Sequence, residues 1–95
     1  MSLIVVFSIE AIETFEAIQS QIRERWGQSA VAKFERRTVK IVDTISKSPL
    51  IFQSIRENPN IRKGIINRNC SFFYEIRRNR IEVLFFWDNR QEPLL

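Results

Sequence analysis

The chain has 95 residues, a hydrophobic fraction of 44%, eight Phe, two Trp, one Tyr and only two Gly. That is too apolar for a disordered chain, and it suits one domain over residues 1–95 that buries roughly 60 to 65% of its extended surface. Fifteen Lys and Arg against eleven Asp and Glu give a net charge of +4, which fits an anionic partner, nucleic acid or protein, while the absence of His and the single Cys70 exclude an internal disulfide, Ser-His and Cys-His nucleophiles and the usual zinc ligand sets.

No metal and no cofactor is therefore expected. The only glycines are Gly27 and Gly64, so no glycine-rich loop is available to cradle a nucleotide. The longest apolar runs, Leu3 to Phe7 and Val83 to Trp87, fall far short of the roughly 20 residues that span a bilayer. The N-terminus lacks a basic, cleavable leader, so the expected location is cytoplasmic, without a membrane partner.

In chain order, Leu3-Ile4-Val5-Val6-Phe7 reads as a buried strand, and Ser8 after it as the N-cap of a helix. Ile12, Phe15, Ile18, Ile22 and Trp26 recur at steps of three and four, with charged residues elsewhere on the wheel. Gly27 ends that helix. Ser29 is placed to cap a second helix with the stripe Val31, Phe34, Thr38, Ile41 or Val42, and Ile45, and Pro49 stops it. The two helices form an antiparallel hairpin. The stretch from Pro49 to Pro59 has no clean period and reads as an irregular crossing with Leu50, Ile51 and Phe52 tucked under it.

Three strands follow, Ile61 to Ile66, Ser71 to Arg77 and Arg80 to Trp87, separated by Asn67-Arg68-Asn69 and Arg78-Asn79. They form a meander. Period-two alternation places Phe72, Tyr74 and Ile76 toward the helices and leaves Ser71, Phe73, Glu75 and Arg77 on a second face free for a ligand. The last strand is apolar on both faces, with Ile81, Val83, Phe85 and Trp87 on one and Leu84 and Phe86 on the other. That pattern asks for a central position or a covered second face, and Leu84 and Phe86 are the residues expected to meet a partner's segment.

From Ile61 to Pro93 the cations Arg62, Lys63, Arg68, Arg77, Arg78, Arg80 and Arg90 outnumber the anions Glu75, Glu82, Asp88 and Glu92, so the functional surface is expected on this sheet. Arginines beside Phe73, Tyr74 and Trp87 are equipped to hold phosphates and stabilise a phosphoryl transition state without histidine. Arg77, Arg78 and Arg80 equally suit solubilising charges at a turn, and Arg90 with Asp88 equally suits an ion pair at a strand end. Tyr74 reads as core, and Cys70 as a small semi-buried residue opening a strand.

The order of strand, helical hairpin and meander, together with Ile61-Arg62-Lys63-Gly64, Phe72-Phe73-Tyr74-Glu75-Ile76 and Trp87-Asp88-Asn89-Arg90-Gln91-Glu92-Pro93, resembles the RelE/ParE superfamily of bacterial toxins over nearly the whole chain. The resemblance implies an α+β fold, with an N-terminal strand and an antiparallel helical hairpin packed on a mainly antiparallel sheet that ends in the three-strand meander. It also implies the toxin of a type II toxin–antitoxin module whose cognate antitoxin wraps it, with a toxin–antitoxin hetero-oligomer as the expected assembly. ParE-like members poison DNA gyrase, whereas RelE-like members cleave mRNA in the ribosomal A site. Ser71 stands where those nucleases carry an arginine, and no tyrosine follows Arg90, so the ParE-like reading leads. The RelE-like endonuclease, with Arg62, Lys63 and Arg90 as its catalytic cations, is the alternative, and a non-toxic antitoxin-binding homologue is a third. The expected target-binding residues are Arg62, Lys63, Arg68, Phe73, Arg77, Asp88 and Arg90.

Overall fold

The computed structural model describes residues 2–91. It contains β1 (Ile4–Phe7), α1 (Ile9–Trp26), α2 (Gln28–Lys47), β2 (Ser54–Ile55), β3 (Asn58–Asn67), β4 (Cys70–Ile76) and β5 (Arg80–Asp88). The strands form one sheet in the order β1-β5-β4-β3-β2. β1 runs parallel to β5, and the other three pairings are antiparallel. This is the expected α+β architecture, with the helical hairpin on one face of a mainly antiparallel sheet.

Local chemistry sets the helix boundaries. Ser8 is extended (φ −67°, ψ 165°), and its Oγ accepts the Ala11 N–H at 2.9 Å, satisfying one of the orphan donors of the first helical turn. Gly27 alone separates the helices. Its φ of +89° with ψ of 179° lies in a region that essentially only glycine enters, so a single residue can reverse the chain. The second helix therefore begins at Gln28 with Gly27 at its N-cap and no side-chain capping bond. Ser29 is inside the helix, a correction to its expected capping role.

The core lies between the hairpin and the sheet. Ala11, Ile18, Phe34 and Ile45 from the helices meet Ile66, Phe72, Tyr74, Ile81, Val83 and Phe86 from the strands, all less than a tenth exposed. Rings of Phe15, Phe34, Phe72 and Phe86 make a chain of contacts, with centroids 4.9 Å apart for Phe15–Phe86 and 5.7 Å for Phe72–Phe86. Tyr74 is core as expected, and its hydroxyl donates to the Pro49 carbonyl at 2.7 Å, which fastens the segment leaving α2.

β5 is an interior strand, in keeping with its two apolar faces, because β1 pairs with its outer edge. β1 ends at Phe7, opposite Val83. Beyond that point the exposed edge of β5 needs other partners, and two helix-entry hydroxyls supply them: Ser8 Oγ donates to the Leu84 carbonyl at 2.6 Å, and Thr14 Oγ1 accepts the Phe86 N–H at 2.9 Å.

Two expectations fail here. The stretch from Pro49 to Pro59 contains β2 and the start of β3, a pairing held by contacts to β3 rather than by any local period. Phe86 is not on an outward face. A β-bulge between Phe73↔Phe85 and Tyr74↔Val83 inserts Leu84 without a partner, which reverses the alternation beyond it. Phe86 thus joins Ile81 and Val83 in the core at 2% exposure, while Phe85 stacks on Phe73 across the opposite face.

Candidate functional site

The expected target-binding residues do not share one place. Arg62 and Lys63 are neighbours on β3, so they project to opposite faces. Arg62 lies on the helix side, donating from Nη1 to the Phe52 carbonyl at 2.5 Å. Lys63 lies on the other face, in register with Phe73. Arg77, at the far end of β4 from Arg68 and Arg90, is roughly 20 Å away along a strand rising 3.3 Å per residue. There its guanidinium bridges Glu75 (2.9 Å) and Glu82 (3.1 Å), which are directly opposite each other on β4 and β5. Arg77 so offsets a cross-strand repulsion between like charges.

Phe73 and Ser71 are not free for a ligand, correcting the expected open second face. Phe73 is 1% exposed and Ser71 fully buried. The Phe73 and Phe85 rings stand 4.9 Å apart, and Ser71 is flanked in register by Ile65 and Trp87. Ser71 instead receives a hydrogen bond from Asn89 Nδ2 at 2.8 Å. Together with the Asn89 N–H bond to the Asn69 carbonyl at 2.8 Å, that contact folds the segment after β5 back onto the β3–β4 turn.

The residues that do assemble are Asp88 and Arg90, at the end of the sheet nearest the α1–α2 turn, where Arg68 sits in the adjoining β3–β4 turn and only its carbonyl is met, by Asn89. Arg90 Nη2 reaches Asp88 Oδ2 at 2.7 Å and Arg90 Nε reaches Oδ1 at 3.0 Å, a two-pronged pair. The Arg90 N–H also donates to Asp88 Oδ1 at 2.9 Å. The Arg90 side-chain bond holds the Asp88 carboxyl below its ordinary value, and the same bond raises Arg90. Arg90 is further fixed by Gln21 and by the Trp26 ring, whose centroid lies 5.6 Å from its guanidinium carbon. The expected strand-end ion pair is present, and it reaches across to α1.

Beside this pair a cleft of about 380 Å³ opens between the helical turn and the strand ends, lined by Trp26, Lys33, Arg37, Asn69 and Arg90 among others. Sequence reasoning missed Trp26, Lys33 and Arg37 as site residues. Part of the signal was there: Ala30, Lys33 and Arg37 follow a helical spacing adjacent to the core stripe of α2, and Trp26 closes the stripe of α1. Only the packing of the turn against the sheet end shows that this row faces Asp88.

Cys70 forms part of the cleft floor, and its thiol is pushed up to about 12, first by burial and then by the neighbouring Asp88 carboxylate. Burial likewise raises Tyr74, against the opposing influence of Arg62. Neither group is an available base or nucleophile at neutral pH. No cluster of three or more His, Cys, Asp or Glu able to hold a metal occurs among the described residues.

A larger and mainly apolar groove of about 700 Å³ runs along the helical hairpin, lined by Phe7, Ile12, Phe15, Val39 and Val42 with Phe86 at its floor. Ile12 is 50% and Val39 69% exposed, and Glu35 accepts a hydrogen bond from Gln19 across it. β1 borders the groove and is an edge strand carrying exposed Ile4, Val6 and Phe7, with no charged residue to guard it. This unpartnered apolar surface lies mainly on the hairpin and β1; of the two residues expected to meet a partner, Phe86 belongs to it as the nearly buried floor and Leu84 is not in its lining.

Two helices on one face of a β1-β5-β4-β3-β2 sheet form an α+β architecture of the kind that the sequence resemblance implies. The structure is similar to one of the chromosomal ParDE TA system from P. aeruginosa, with a TM-score of 0.77 and 16% identity over 92% of this chain and 96% of that one. It is also similar to the YoeB dimer from Staphylococcus aureus, with a TM-score of 0.66 and 13% identity over 90% of this chain and 94% of that one. No family model and no curated protein sequence matches the chain. Among the described residues no helix is long and apolar enough to cross a membrane.

Proposed function

We propose that this protein is the toxin of a type II toxin–antitoxin module, acting in the cytoplasm as a ParE-like inhibitor of DNA gyrase and neutralised by a cognate antitoxin. The observation that carries the choice of target is the dispersal of the cations. Phosphoryl chemistry without histidine needs several positive groups aimed at one reacting phosphate, yet Arg62 is spent on the Phe52 carbonyl, Lys63 is on the other face of the sheet and Arg90 is locked to Asp88. Action by surface contact makes no such demand.

The antitoxin reading is supported by the groove along the hairpin and the bare edge of β1, which fit an amphipathic helix and an added strand. Likeness to a structure of a ParDE system points the same way, although fold alone does not determine activity.

The test is a parallel assay of purified protein on gyrase supercoiling and on mRNA in a programmed ribosome. Inhibited supercoiling with intact message is expected. Message cut only when ribosomes are present, with normal gyrase, would replace this reading with the RelE-like one. Unimpaired growth of cells holding folded protein would leave the non-toxic, antitoxin-binding homologue.

A further inference from the structure

We propose that the cleft between the α1–α2 turn and the Asn67–Cys70 end of the sheet docks an acidic segment of a partner protein through its carboxylates and one bulky apolar side chain. This inference is independent of gyrase or ribosome as target, and it concerns a surface separate from the groove along the hairpin.

The cleft has two kinds of wall. Its floor is apolar, formed by Ile18, Ile22, Phe34 and buried Cys70, and Trp26 stands at its side with 55% of its surface exposed. Its rim is cationic. Lys33 and Arg37, four residues apart on α2, lie on the same side of the helix, and neither has an ion pair among the described residues. The Arg37 Nε–H donates to the Ile66 carbonyl, which aims the rest of its guanidinium along the rim. Among the described residues the sole acid of the lining, Asp88, is already matched by Arg90, so within them the Lys33 and Arg37 charges on the rim are uncompensated.

About 380 Å³ is at the lower end of the range for ligand pockets and suits one large side chain with its flanking backbone. An exposed tryptophan beside fixed guanidinium groups is the composition that dominates protein interfaces. A nucleic acid strand fits less well. The Trp26 ring already has Arg25 at 5.5 Å and Arg90 at 5.6 Å from its centroid, so the aromatic surface a base would stack on is occupied by cations. An alternation of carboxylates and a leucine or aromatic side chain meets both walls at once.

The experiment uses the isotope-labelled full chain, titrated with a synthetic decapeptide of alternating glutamate and leucine and followed by amide and indole chemical shifts. Polyglutamate of equal length and an oligothymidylate serve as comparison probes. Shifts centred on the Trp26 indole N–H, Ala30, Lys33 and Asn69 are expected, with polyglutamate and the oligonucleotide each binding at least tenfold more weakly. Lys33→Glu, which leaves the Arg37–Ile66 bond intact, should weaken the peptide about tenfold, and Ala30→Trp, which fills the cleft, should do the same. Shifts confined to other surfaces, indifference to both substitutions, or binding of polyglutamate or the oligonucleotide as tight as that of the peptide would each overturn the proposal.

Discussion

The ring of Phe72 lies directly over Gly64, its cross-strand partner, in the space a side chain on Gly64 would occupy. Phe72 is fully buried and touches Phe52, Tyr74 and Phe86, so it has nowhere to retreat. A methyl group at Gly64 would collide with that ring and displace the centre of the core. Gly64→Ala is expected to destabilise the protein by about 1 to 3 kcal/mol, the usual cost of overpacking. Urea denaturation followed by circular dichroism measures it, and an unchanged midpoint would contradict the packing described.

Cys70 is 3% exposed and its thiol is raised to about 12. At pH 8 the native protein should therefore be almost inert to a disulfide reagent such as Ellman's, and the same chain in urea should react at the rate of an ordinary thiol. Rapid labelling of the folded protein would mean that the cleft floor opens far more readily than its packing implies.

The Asp88–Arg90 pair gives stability a pH dependence of defined sign. Arg90 holds the folded carboxyl below its unfolded value near 3.9. Its contribution is thus complete above the unfolded value and is lost as pH falls through the folded one. Asp88→Asn should lower stability by roughly 1 kcal/mol at pH 7, as suits a partly exposed pair. The difference between the two proteins should narrow as the pH falls below the unfolded carboxyl value, and urea titrations at a series of pH values give the comparison directly.

A fourth test addresses the groove along the hairpin. Val39 is 69% exposed, so Val39→Glu should leave the fold intact while placing a charge on an apolar docking surface. Co-purification with the antitoxin proposed above is expected to fall at least tenfold. Undiminished capture would move the antitoxin to another face.

Much of this architecture can be read from local signals. Ser8 announced the first helix because a hydroxyl at that position meets an orphan N–H. The alternation of Phe72 and Tyr74 announced the helix-facing side of β4 because a strand has period two. What escaped depends on tertiary facts. The two residues of β2 carry no period of their own, and the bulge at Leu84 switched Phe86 from one face to the other without any glycine to mark it. The site suffered more than the fold. Seven candidate residues, five of them cations, scatter over both faces and both ends of the sheet, whereas Trp26, Lys33 and Arg37 line one cleft with Asp88 only because the Gly27 turn lands beside the strand ends.

The parallel pairing of β1 with β5 also governs when the molecule can come into being. Ser8 bonds to Leu84 across 76 positions of chain, and the first strand has no other neighbour in the sheet. During synthesis β1 must wait for its sheet partner until β5 has left the ribosome, since a chain emerges at only about 5 to 20 residues per second. The β1–β5 edge, and with it the finished outline of the hairpin groove, is then assembled in one late step. Until β5 emerges, a translating ribosome consequently carries a precursor whose first strand lacks its sheet partner and whose hairpin groove lacks its finished border.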